Sequence, residues 1–339
     1  MEKDILKRQG RVLIPAIAYG DAAGLPVETW SAERISERFP QGVHELIPTN
    51  ENPFFGSSEN PGTWSDDTQL SIAVAKALIK AKRFDITALA ESHLEAYDAT
   101  DFIERERNGV MTNVKRGWGG STTDAMEKLH AGVSPLASGT VGGQGNGVLM
   151  KMAPLRYWQY ARQTPIVEIY AQLDQLTTMT HDSNLTRAVT KVHGDVLGYL
   201  LRTEQFEHKA FISVLHAALA VHSFMLKESG PLFELFSFLE KPVTKETILE
   251  NTDGKGFHAP QTLAMAYGAF MAHEGEFTPS VYEAVNLGGD TDSIASIVAT
   301  MSAFKTKGIL RMPIDHQNIE RIDMLKSVSR QLVKAAFEN

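Results

Sequence analysis

Cysteine is absent from the 339 residues, which excludes disulfides, thiolate zinc sites and a cysteine nucleophile together. Blocks of lysine and arginine are missing too. With 41 acidic against 33 basic residues and a net charge of −8, the chain offers no basic face to a nucleic acid, although a small anion in a local pocket stays open. Long apolar runs are also lacking. The longest, 214–226, is interrupted by His216 and His222 and falls well short of the roughly 20 residues that span a membrane. At the N-terminus Lys7, Arg8 and Arg11 precede the apolar run 12–18 in imitation of a secretion signal, but Glu2, Asp4 and Pro15 argue against it. There is no Gly-x-Ser-x-Gly elbow for a serine hydrolase and no His-Glu-x-x-His pair for zinc. We expect a cytoplasmic protein with no membrane contact.

What is present is helical period. Leu6, Leu13, Ile17, Gly20 and Gly24 recur at spacings of three, four and seven, so 4–24 reads as a mostly buried helix. Further helical patterns cover 31–39, 68–82, 86–97 behind Asp85, and 122–130 behind Ser121 with Asp124 in a capping-box position. The rest fall at 148–160, 165–179, 184–202, 206–227, 231–239, 244–250, 261–273, 279–286, 291–304 and 319–337. No strand is expected. Between 40 and 66 the chain carries Pro48, Pro53, Gly56, Pro61 and Gly62 without a period, a loop long enough to suggest function. No repeat of 20 to 50 residues occurs and no linker divides the chain, so we expect one all-α domain over 1–339.

Two turns stand out. Residues 62–68 read Gly-Thr-Trp-Ser-Asp-Asp-Thr and 288–293 read Gly-Gly-Asp-Thr-Asp-Ser. Each puts two carboxylates and at least one hydroxyl just before a helix of small and apolar residues. Magnesium and manganese take oxygen ligands in octahedral array, which such turns supply compactly. Ordinary N-caps use the same residue types. A cap needs only one acceptor, however, and two carboxylates leading a buried helix are costly unless a cation offsets them. Spacing alone leaves both readings open. The glycine loop 142–147 before a helical pattern is either a phosphate cradle or a plain flexible loop; it matches neither the dinucleotide fingerprint nor the P-loop. Glu28 follows a small-residue turn and is a candidate acid/base, a further metal ligand or a surface glutamate. His181, in Thr-His-Asp-Ser at 180–183, could meet a substrate or cap a helix end.

Taken together in order, these pieces resemble the ADP-ribosylglycohydrolases. The matching residues are Gly20-Asp21-Ala22 with Glu28, Thr63-Trp64-Ser65-Asp66-Asp67-Thr68, Arg116-Gly117-Trp118-Gly119, Gly145-Asn146-Gly147 with Met150 and Ala153-Pro154, Thr180-His181, and Gly288-Gly289-Asp290-Thr291-Asp292-Ser293. They cover nearly the whole chain. The resemblance implies a compact, orthogonal multi-helix bundle with a binuclear centre, two Mg2+ or Mn2+, in a central cleft. Its ligands would be Ser65, Asp66, Asp67, Asp290, Asp292 and Ser293. It assigns Gly143, Gly145, Asn146 and Gly147 to the substrate diphosphate and His181 to the ribose or adenosine side. Glu28 falls beside the scissile bond, and Glu28, Asp66, Asp67 and Asp292 form the catalytic set. The sequence departs from the family where Lys151 replaces the usual arginine and where Gly-Gly-Gln-Gly precedes Asn146 in place of a serine and an aromatic. Ser65 and Ser293 replace the threonines of several members and keep the hydroxyl.

The implied activity is metal-dependent hydrolysis of the N- or O-glycosidic bond of an ADP-ribosyl group on a protein side chain, arginine first. Alternatives are hydrolysis of a free nucleoside or small ADP-ribosyl metabolite, or ADP-ribose binding without turnover. The expected partner is an ADP-ribosylated protein or ADP-ribosyl small molecule, met by a monomer. Loops 40–61 and 100–113 are where the choice of linkage is expected to lie.

Overall fold

A computed structural model describes residues 2–52, 60–99, 102–107, 110–203 and 205–338. Pro53 and Gly56 of the proline-glycine loop lie outside these, as does part of loop 100–113. Among the described residues the chain forms fifteen α-helices. The first half contains α1 (Glu2–Gly24), α2 (Ala32–Arg38), α3 (Asp66–Ala81), α4 (Ile86–Asp98), strands β1 (Phe102–Arg107) and β2 (Val110–Lys115), α5 (Gly120–His130) and β3 (Thr140–Val141). Next come α6 (Ala153–Ala161), α7 (Ile166–Thr178), β4 (His181–Asp182), α8 (Asn184–Arg202) and α9 (His208–His222). The last six are α10 (Gly230–Phe236), α11 (Lys245–Asn251), α12 (Ala259–Ala272), α13 (Phe277–Asn286), α14 (Thr291–Lys305) and α15 (Ile322–Phe337). The all-α expectation holds.

At the centre, α1 packs along α14, with α3, α13 and α15 around them. Every α14 residue from Thr291 to Phe304 is buried, as its small and apolar composition demands. The packing is close because α1 presents glycine there. A Cβ on Gly20 would stand 2.3 Å from the Ala295 carbonyl oxygen, and one on Gly24 would stand 2.3 Å from that of Thr291. Only a residue without a side chain lets the two backbones meet. The α1 interior also accepts Pro15 without ending.

The strands correct the expectation of none. β1 and β2 pair as an antiparallel hairpin, and the sequence signal that was passed over is Asn108-Gly109 between two runs carrying β-branched residues. Those two residues lie outside the described set. β3 pairs in parallel with β4, tying the start of the glycine loop to His181. Several helix starts also move. The N-cap of α5 is Gly119 and Ser121 lies inside the helix; Asp124 is instead taken by Lys128 at 2.7 Å and by the Thr140 hydroxyl at 2.6 Å. The helix expected from 148 begins at Ala153, because Pro154 fits only the first turn. The helix expected from 319 begins at Ile322. At the other end of its segment, α9 stops at His222 and gives way to a 3-10 turn. Asp85 caps α4 as expected, and Ser31 proves to be the N-cap of α2 rather than its first residue.

The α1–α14 contact yields a direct test. Gly20→Ala should cost about 1–3 kcal/mol, the range for overpacking a tight interior, because its new methyl meets backbone. Gly230→Ala, where a Cβ meets nothing within 4 Å, should leave stability unchanged. Urea midpoints measure both; equal midpoints would show that the helices separate freely at Gly20.

Candidate active site

The two acidic turns come together. α3 and α14 each begin at the end of α1, and Asp21, one helical step beyond Gly20, reaches the first turn of α3. Its carboxylate accepts from the Ser65 N–H at 2.8 Å, the Thr68 N–H at 3.0 Å and the Thr68 hydroxyl at 2.6 Å. Ser65 is the local N-cap, accepting from the Asp67 N–H at 3.3 Å. With the cap supplied by Ser65 and Asp21, the carboxylates of Asp66 and Asp67 are released from that duty. At the other turn Asp290 is the N-cap residue of α14 yet makes no side-chain cap hydrogen bond.

Glycines again set the approach. Gly288 and Gly289 have φ of +77° and +78°, and added Cβ atoms would strike the Ala32 nitrogen at 2.6 Å and the Lys255 carbonyl at 2.2 Å. Residues 288–289 run beside 29–31, with Thr29 N–H donating to Gly289 O at 2.7 Å and Gly289 N–H to Trp30 O at 2.8 Å. Thr29 is held at φ +69°, a left-handed conformation that a β-branched residue adopts only when its surroundings impose it. Glu28 is thereby turned toward Asp290 and Asp292.

Two carboxylate triads result. Oxygens of Asp21, Asp67 and Asp292 lie within 4.8 Å of one another, and so do oxygens of Glu28, Asp290 and Asp292. Asp292 belongs to both. The Ser293 hydroxyl donates to Asp67 at 3.2 Å. Asp21, which sequence reading placed in a motif without giving it a role, is a member of the cluster. Asp66 lies outside both triads but lines the same cleft.

That cleft encloses about 240 Å³. Glu28, Asp66, Asp290 and Asp292 form its acidic end, and Gly145, Asn146, Gly147 and His181 the other. The glycine loop is pinned rather than flexible: Asn146 donates to Asp290 at 2.7 Å and to Gly256 O at 3.2 Å, and the Gly143 carbonyl accepts from Thr186 at 2.8 Å. Because α6 starts only at Ala153, the loop does not lie on a helix N-terminus as the sequence suggested. His181 caps no helix; Ser183 caps α8. The imidazole sits under the glycine loop, where Cβ atoms on Gly145 and Gly147 would stand 3.5 Å from its Nε2. Gly143 is close by but outside the cleft lining.

Sequence reading missed Phe257, a 41 % exposed aromatic on the cleft wall, and Ser121 and Thr122, which line it beside the glycine loop. No periodicity marks such positions. Lys151, the departure from the resemblance, is fully buried behind the cleft, its ammonium on the Thr180 hydroxyl at 3.3 Å. Arg116 is structural: it donates to Trp64 O at 3.0 Å and to Glu320 at 2.9 Å.

The electrostatics follow from burial. Asp66, Asp67 and Asp292 are pushed well above the usual carboxylate range, first by desolvation and then by neighbouring carboxylates. Asp21 rises to about 7 and Asp290 to about 6, both chiefly by burial. Glu28 rises for the same reason and through Asp292, Asp290, Asp66 and Asp21, and its buried Oε2 has no hydrogen-bond partner. Against this excess of negative charge, Lys151 is the cation that acts on Asp66. Crowded, desolvated carboxylate oxygens with a hydroxyl among them fit a hard divalent cation.

Fold and cleft together define an all-α protein with a carboxylate-rich ligand site. Residues 10–305 match the ADP-ribosylglycohydrolase family, and the chain belongs to it; it is a glycosyl hydrolase of the class that acts on ADP-ribosyl linkages. It is 25 % identical over 300 residues to an uncharacterized protein of Archaeoglobus fulgidus, covering 88 % of each chain. An ADP-ribosylarginine hydrolase, Tri1, of Serratia proteamaculans is 25 % identical over 281 residues, which are 83 % of this chain and 66 % of that one. The ADP-ribosylhydrolase ARH3 of Gallus gallus is 23 % identical over 316 residues, 84 % and 81 % of the two. A solved ADP-ribosylglycohydrolase-related protein complex shares the fold at TM-score 0.69 and 23 % identity, covering 99 % of this chain and all of the other.

The raised carboxylates fix the sign of a pH effect. Asp21 titrates near about 7 when folded and near about 4 when unfolded, so the folded state holds more protons between these values. Stability therefore falls as pH rises through that window, opposite to an ordinary salt-bridged aspartate. Chelator-treated protein should melt at a lower temperature at about pH 8 than at about pH 5, and Asp292→Asn should flatten the slope by removing the shared charge. A slope unchanged in that variant would show that the cluster is not the source.

Proposed function

We propose that the chain hydrolyses the N- or O-glycosidic bond of an ADP-ribosyl group carried by a protein side chain, arginine first, using two divalent cations. The reading rests above all on Asp292, whose carboxylate joins two acidic triads beside an orphaned Glu28 oxygen. Ser65, Asp66, Asp67, Asp290, Asp292 and Ser293 would hold the ions, with Asp21 behind them. Bound there, Mg2+ or Mn2+ would neutralise the carboxylates, orient ribose hydroxyls and acidify water. The arginine linkage is supported by the likeness to the ADP-ribosylarginine hydrolase Tri1 of Serratia proteamaculans.

The chain's own groups have separate tasks. Asn146 and the glycine loop receive the diphosphate, with His181 beneath them. Phe257 offers an apolar wall to the face of a sugar or base. Glu28, whose pKa is raised by burial and then by the neighbouring acids, is the group that passes a proton to the leaving group. An ionised aspartate of the cluster takes the proton of the attacking water as the anomeric carbon gains oxocarbenium character. One domain over 1–339 and a monomeric working state belong to the same proposal.

Release of ADP-ribose from arginine-linked and serine-linked substrates, with Mg2+ or Mn2+ and then with chelator, tests it. Asp292→Ala should lower turnover by about 10²-fold or more, the scale of a lost proton-transfer or charge-stabilising group, and chelator should abolish it. Full activity of Asp292→Ala at ordinary magnesium would refute the assignment.

A further inference from the structure

Behind the cleft lies a buried hydrogen-bonded chain that neither the acid cluster nor the glycine loop explains. Lys151 Nζ is 3.3 Å from Thr180 Oγ1, and Thr180 Oγ1 is 2.9 Å from His181 Nδ1. All three side chains are buried, Lys151 and Thr180 completely. An ammonium donates and cannot accept. Burial lowers Lys151 to about 7 while the neighbouring Asp66 favours its charged form; in that form it donates a hydrogen bond to the Thr180 oxygen, leaving the hydroxyl hydrogen to find its own acceptor. Among the described residues His181 Nδ1 is the acceptor within reach. Were Nδ1 itself protonated, the Thr180 hydrogen would be a buried donor with nothing to bond, a costly arrangement. The proton of a neutral imidazole then belongs on Nε2, the atom that lies under Gly145 and Gly147. Burial, with the Lys151 charge second, holds His181 down to about 3, so the ring is neutral.

We propose that Lys151 and Thr180 are positioning residues that lock His181 as its Nε2–H tautomer, so that the glycine-loop end of the cleft meets the substrate diphosphate with a neutral, pre-aimed donor. The ligand half of this inference rests on the reading of the loop as the diphosphate seat. The lock itself does not. It also gives the lysine a task that needs no contact with substrate, since Lys151 does not line the cleft.

Nitrogen-15 spectra of the imidazole rings in the full chain, assigned with His181→Asn, read the tautomer directly. The expected result is an unprotonated Nδ1 and a protonated Nε2 for His181. Thr180→Val, which removes the hydroxyl and keeps the shape, should yield mixed tautomers and weaken ADP-ribose binding in calorimetry by about threefold to tenfold, one hydrogen bond's worth. Thr180→Ser should restore both. A wild-type ring protonated on Nδ1 overturns the lock, whatever the variants do. The expected tautomer in a wild-type protein that binds no ADP-ribose would uphold the lock and refute the diphosphate reading. An expected tautomer with unchanged affinity in Thr180→Val overturns the claim that the lock serves binding.

Discussion

The contact between α1 and α14 through Gly20 and Gly24 is the constraint on which the rest depends. Because the two backbones touch, Asp21, the residue after the first of those glycines on α1, stands beside the first turn of α14. It also reaches the first turn of α3 and satisfies three donors there. One interhelical distance thus places three chain segments, far apart in sequence, with their carboxylates inward. A methyl group at Gly20 would act on the core and the cleft at once.

That closeness has an electrostatic consequence. Asp21, Glu28, Asp66, Asp67, Asp290 and Asp292 share a poorly solvated space in which burial is the first cause of every pKa rise. Purely structural helix caps would not be gathered this way, since a cap needs one acceptor and gains nothing from acidic neighbours. The division is visible in the turns themselves. Ser65 and Asp21 satisfy the N-terminus of α3, while Asp66 and Asp67 are left for other work. Spacing left caps and ligands undecided; the structure gives the capping of α3 to Ser65 and Asp21.

Much of this was legible in the sequence for a physical reason. Helices with an apolar stripe announce themselves by period, and the glycine-marked acidic turns announce themselves by composition, so α1, α3, α8, α12 and α14 and the residues 65–67 and 290–293 could be read directly. Asp21 could not be given a role, because its role is a tertiary hydrogen bond across 44 residues to Ser65. Phe257 and Thr122 were invisible likewise: a cleft wall has no local pattern. The start of α6 was misplaced because Val148, Leu149, Met150 and Met152 continue the helical rhythm while Pro154 sets the real beginning. The position of His181 under the glycine loop was not legible either, because it comes from the two-residue pairing of β3 with β4, too short to carry a signal.

The distribution of charge across the cleft links its two ends. No lysine or arginine lines it among the described residues, and four carboxylates do. A diphosphate approaching that surface would meet repulsion from bare aspartates and only neutral donors from Asn146, the loop backbone and His181. A cationic side chain at the loop would help the phosphates, yet at this distance it would also be drawn onto the acids and occupy the place of an ion. Lys151 is instead buried behind Thr180, where it steadies Asp66 and orders the imidazole without entering the cleft. On the proposed reading, divalent cations then supply the positive charge that the lining lacks, so ion binding and nucleotide binding favour each other through the same carboxylates.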